Sequence, residues 1–190
     1  MTQSMQTQDI ANRFIEKVCV HLTKKLDVEK LEQQFKETID TKRQSASSKT
    51  QFFDTLMLNM LYFTENEQQW QKEFHRMLDS KSWMTQAQLE EELLMHQMRI
   101  RQQVAEQMDS MKEVFHQQYN KENMTEENIV YDYAYSAAAH SLRIDFLTVL
   151  VATPQQSQLL FQADLTETMR IANGYIAYHV DALINKMQLV

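Results

Sequence analysis

From Thr85 to about Tyr119 the chain carries an apolar stripe that no glycine or proline interrupts. Leu89, Leu93, His96, Ile100, Val104, Met108, Met111, Phe115 and Tyr119 follow at steps of three or four, which places them on one face of a helix. Thr85 and Gln88 have the spacing of a capping box, with Met84 and Leu89 where a hydrophobic staple sits. The stripe advances by about 3.75 residues per step, so it predicts a long bundle helix and not a left-handed zipper. Near the start, Leu94, Met95, Met98 and Ala105 lie outside the stripe, and Leu94, Met98 and Ala105 widen the apolar face to roughly 200°. One neighbouring helix cannot cover that arc. The helix is therefore expected either between two neighbours or with one side open to another protein.

Such a helix is consistent with the rest of the chain, which has one glycine and one proline in 190 residues. Hairpins, tight βα turns and phosphate loops all depend on glycine, so the expected class is all-α, and dinucleotide and P-loop folds are excluded. A hydrophobic share of 43% and a charged share of 24% fit one folded core. We read residues 1–190 as a single domain of about six helices, with 85–119 and 154–188 as its two long central helices. An N-terminal hairpin over 9–43 would join the main bundle, 51–190, through a Ser-rich linker at 44–50.

Other stripes fill in the order. Ile10, Phe14, Val18, Leu22 and Leu26 recur every four residues, and Asp27 stands where it can cap a continuation through Val28, Leu31, Phe35 and Ile39. Phe52 to Phe63 is apolar almost all round, the pattern of a helix buried on most sides. Thr64 and Glu67 read as a capping box that opens a separate short helix carrying Trp70 and Phe74. Thr125 is placed to open the next helix, with Met124 and Ile129 as a staple. The alternation over 129–135 and the β-branched run at 144–151 leave a small strand pair as a competing reading, with helix favoured by the lack of a turn glycine. Thr153-Pro154 marks a helix start, and Phe161, Leu165, Met169, Ala172, Ile176, Val180, Leu183 and Met187 continue it. Gly174, inside that stripe, predicts a close helix contact, a kink or a break.

A formal net charge of −7 argues against a general nucleic-acid binder. The first nine residues are polar and lack a signal peptide's apolar core, and the run from Ile144 to Ala152 is too short to span a bilayer. The expected location is the cytoplasm. Cys19 falls in an apolar helical run and reads as a buried structural thiol.

Little in the sequence points to catalysis. A di-iron bundle needs two Glu-x-x-His pairs; only Glu113 and His116 form one, and it is expected on a solvated face. His96, His140 and His179 lie at the margins of apolar stripes. They could converge on Asp132, Asp145 or Asp181 as a general base, but hydrogen-bonded core-edge histidines are the simpler reading. No cofactor or metal is expected. Thirteen methionines are the larger departure from ordinary usage, and flexible thioethers suit surfaces that accept partner helices. Tyr119, Tyr131, Tyr133, Tyr135, Tyr175 and Tyr178 form a second interface set. The expected function is non-enzymatic: an adaptor, scaffold or chaperone-like protein, of the kind that serves secretion, binding another protein or a second copy of itself through Leu94, Met95, Met98 and Ala105. A bundle that holds a small molecule or lipid is the first alternative, and an enzyme built on the three histidines the second.

Overall fold

Apolar side chains all round a helix require neighbours all round it, and the helix that meets this demand runs over Glu126–Ala152. Ile129, Val130, Tyr133, Ala134, Ala138, Leu142, Phe146, Leu147 and Leu150 are all buried along it. The computed structural model describes residues 2–121 and 125–189. In chain order its helices are α1 (Thr2–Lys24), α2 (Val28–Ser45), α3 (Lys49–Ser80), α4 (Gln86–Lys121), α5 (Glu126–Ala152), α6 (Pro154–Ser157) and α7 (Leu165–Asn185), with a 3₁₀ segment at Gln158–Gln162 between the last two. No strand occurs among the described residues, so the alternating segment at 129–135 and the β-branched run at 144–151 are both helical. The fold is an all-α bundle.

Central place belongs to α5, which packs against α3, α7, α1 and α6. The long stripe of α4 instead lies along α3 and touches α5 only slightly. Length suggested that α4 would be central; its packing almost wholly on α3 makes it peripheral. The other predicted central helix, 154–188, is interrupted. Asp164 accepts a hydrogen bond from the Glu167 N–H at 3.4 Å and caps a new helix there. Thr153 gives α6 no side-chain cap, because its hydroxyl donates backward to the Val149 carbonyl at 2.9 Å.

The Phe52–Leu78 region departs from expectation in the opposite sense, as one helix of 32 residues. Thr64 Oγ1 donates to the Met60 carbonyl at 3.1 Å, inside the helix, and Glu67 accepts from Arg143 at 3.1 Å. Neither acts as a cap. Asp27 does, accepting from Lys30 N at 3.2 Å, which makes α1 and α2 separate helices. On α1 the buried face is Ala11, Ile15, Val18 and Cys19. A strict step of four drifts off a 3.6-residue helix, and this leaves Ile10 exposed. The serines at 44–50 form a tight turn instead of a long linker: α2 runs to Ser45, and Ser48 caps α3 by accepting from Gln51 N at 3.1 Å.

Gly174 lies within α7, which runs through it without a break, and a Cβ there would meet nothing within 4 Å. Cys19 is buried and free, its thiol pushed up to about 12 by burial and then by the nearby Glu16 charge. Of the expected staple around Thr125, Met124 lies outside the described residues. Thr125 itself caps α5 by accepting from Asn128 N at 3.3 Å.

Candidate functional site

The first turn of α4 is set by purely local chemistry. Gln88 N donates to Thr85 Oγ1 at 3.2 Å, and Thr85 N donates to Gln88 Oε1 at 2.9 Å. This reciprocal pair satisfies two of the amide groups that any helix start leaves open. From there Leu89, Leu93, Ile100, Val104 and Met108 are buried. Polar contacts then fix α4 on α3. Arg76 pairs with Glu92, Arg99 donates to Gln69 at 3.3 Å, Gln107 donates to Glu65 at 3.0 Å, and Lys112 and His116 both reach Asp54, at 2.9 and 3.0 Å. His116 was expected on a solvated face. It is half-buried against α3, because Asp54 offers a carboxylate there.

With one side held, the opposite side of α4 faces solvent. Leu94 is 67% exposed, Met95 76% and Met98 82%, and Ala105 is exposed on the same helix. Other methionines, Met57, Met77, Met108 and Met187, are buried in the ordinary way. The exposed pair is thus a local departure and not a general property of methionine in this chain. Beside Leu94 runs an open groove of about 210 Å³, walled by Tyr62, Asn66 and Trp70 from α3 and by Glu90, Leu93 and Gln97 from α4. Gln97 donates to the Tyr62 hydroxyl at 3.2 Å across it. The α3 wall was not legible in the sequence, since the supposed cap at Thr64 divided Tyr62 from Trp70.

The three histidines occupy three different helices. His140 on α5 stacks on Phe63 with centroids 5.0 Å apart. Burial, then the Arg143 charge, hold its pKa below the ordinary value. His179 on α7 lies against its own neighbours, tilted on Tyr175 at 4.3 Å and edge-on to Tyr178 at 5.6 Å between centroids. His96 is half-buried on α4. Among the described residues no three His, Cys, Asp or Glu side chains gather as a metal site. The Tyr131 hydroxyl lies within hydrogen-bond distance of Asp181 Oδ1 and Asn185 Oδ1, at 3.1 and 3.0 Å, and its single proton is shared between them.

The tyrosines do not form one surface. Tyr133 is buried, Tyr135 donates to the Ala177 carbonyl at 3.4 Å, and Tyr178 is exposed. No described helix is long and apolar enough to cross a membrane. No protein-family model, curated protein or solved structure matches this chain.

Proposed function

We propose that this chain is a non-enzymatic docking module, an adaptor or scaffold that binds another polypeptide through the outer face of α4. The observation that carries this reading is the cluster of Leu94, Met95 and Met98, three large apolar side chains within two turns, each more than half exposed. A folded chain gains nothing by holding them in water. Scattered exposed apolar residues are ordinary, but a contiguous group on one rigid helix is a feature of interaction surfaces.

The magnitude bears on what can dock. Full burial of a Leu or Met side chain is worth about 1.5–3 kcal/mol, so covering the exposed parts of these three supplies roughly 3–7 kcal/mol. Micromolar binding needs about 8 kcal/mol net, and association itself costs about 4 kcal/mol or more. The patch is an anchor, and the partner must add further contacts, either in the adjoining α3–α4 groove or from apolar surface of its own.

The test is affinity capture with the wild-type chain and with a Leu94→Asp/Met98→Asp variant of unchanged circular dichroism. The variant is expected to lose at least one polypeptide held by the wild type, a second copy of the chain included. If the folded variant keeps them all, docking through α4 is wrong.

A further inference from the structure

We infer that the polypeptide fitted to the outer face of α4 is a second copy of this chain, the two α4 helices lying antiparallel about a two-fold axis beside residue 96. This deepens the docking reading above and rests on it. The outer face carries Ala87, Glu91, Leu94, Met98, Arg101 and Ala105, all exposed. Their steps alternate four and three, and by the 100° rule they occupy a stripe roughly 80° wide, distinct from the one buried on α3. Steps of this kind form the seam of a two-helix contact.

Laid antiparallel about residue 96, the stripe is complementary to itself. Leu94 falls opposite Met98 of the second copy, Glu91 opposite its Arg101, and Ala87 opposite its Ala105. The two-fold repeats each pairing, giving six layers over roughly 27 Å. Other arrangements fail on charge or on access. A parallel, in-register pair sets Glu91 against Glu91 and Arg101 against Arg101. Sliding the antiparallel pair by a heptad sets Glu91 against Met108, which is already buried, or against Leu94.

Two further features of the structure favour this occupant. Neither Glu91 nor Arg101 forms an ion pair or hydrogen bond with another described residue, although several charges around them do. Both are therefore free to pair across the axis. An isologous contact also buries Leu94 and Met98 twice, once from each copy, with Met95 beside the seam, and so adds apolar surface that one copy's cluster lacks. Each copy carries a net charge of −7, so long-range repulsion opposes association. The apolar layers drive it, and the Glu91–Arg101 pairs select the register.

Sedimentation equilibrium of the full chain, with charge-reversal variants, tests this. Glu91→Arg and Arg101→Glu each replace two attractive contacts by two repulsive ones, and each is expected to weaken self-association by about tenfold. An equimolar mixture of the two restores both ion pairs and is expected to recover a one-to-one dimer, as is the double variant Glu91→Arg/Arg101→Glu. A wild-type chain that stays monomeric at every attainable concentration overturns the inference, and so does a mixture that fails to recover. A benzophenone amino acid at Met98, activated in cells, separates this failure from that of the parent reading. An adduct of twice the chain mass supports the dimer. An adduct with a different polypeptide overturns the dimer and leaves docking in place. No polypeptide adduct overturns both.

Discussion

Leu150→Ala and Leu94→Ala make the same chemical change on two helices with opposite roles. Leu150 of α5 is 0% exposed in the main core, whereas Leu94 of α4 is 67% exposed. Removing a fully buried leucine side chain loses its transfer energy and leaves a cavity, at a cost of about 2–5 kcal/mol. Against a total stability of about 5–15 kcal/mol, that is a large share. For a chain of this size each kcal/mol moves Tm by about 2–4 °C, so Leu150→Ala should lower it by roughly 4–20 °C. Leu94→Ala forfeits only the minor, already buried part of its side chain and should stay within about 1 kcal/mol of the wild type.

Urea unfolding followed by circular dichroism measures both, and it should be repeated across a range of protein concentrations. At low concentration the two costs should differ by at least about 1 kcal/mol. At high concentration Leu94→Ala should lose the added stability that self-association gives the wild type, since whatever binds only the native state stabilises it. Equal costs at low concentration would refute the assignment of α5 as the centre and α4 as the periphery. A Leu150→Ala cost under about 1 kcal/mol would do the same.

Gly174 is exposed within α7 and has room for a methyl group, so Gly174→Ala should raise stability by about 0.5–1 kcal/mol in the same assay, through helix propensity and a less flexible unfolded chain; a loss of stability would mean that α7 is bent there. Burial and the Arg143 charge depress the pKa of His140 from its ordinary 6.5, so the unfolded chain binds that proton more readily than the native one, and His140 stability is complete above about 6.5 and lost as pH falls through its lower native value. Burial raises Glu67 from 4.5, which works in the opposite direction on the acid side, so the informative quantity is a difference. The pH dependence of unfolding below 6.5 should be shallower in His140→Gln than in the wild type, and identical profiles would refute the assignment.

Where structure depends on residues close in sequence, it was legible. Thr85 with Gln88, Asp27 with Lys30 and Thr125 with Asn128 all form the caps that their spacing implies. Thr64 had the same spacing and failed, because its hydroxyl has a second local partner, the carbonyl one turn back. The break at Asp164 was hidden for a related reason: Phe161, Leu165 and Met169 keep helical spacing straight through it, and a 3₁₀ turn leaves little trace in periodicity. Pairings across long sequence distances left no trace at all. Asp54 meets His116 across 62 positions and Glu67 meets Arg143 across 76, and nothing near either partner announces the other.

The placement of α4 follows from a distinction that periodicity alone expresses poorly. A strongly one-sided stripe means that a helix has one neighbour, whereas apolar residues on all sides mean that it has several. The second pattern belongs to α5, and it was the less regular of the two to read. The buried stripe of α4 has one neighbour: its contacts with α3 use Leu89, Leu93, Ile100, Val104 and Met108 together with the polar ties to Glu65, Gln69 and Arg76. Those contacts account for the position of α4 without help from its other side. Ala87, Glu91, Leu94, Met98, Arg101 and Ala105 are therefore unconstrained by the fold of a single chain. Solvation alone would fill such positions with charged and amide side chains, as it does at Gln102, Gln103 and Glu106 nearby. Leucine and methionine there, bracketed by an acid and a base that have no partner among the described residues and lie at equal distances from one point, satisfy no requirement of the isolated molecule. They satisfy those of a two-fold contact.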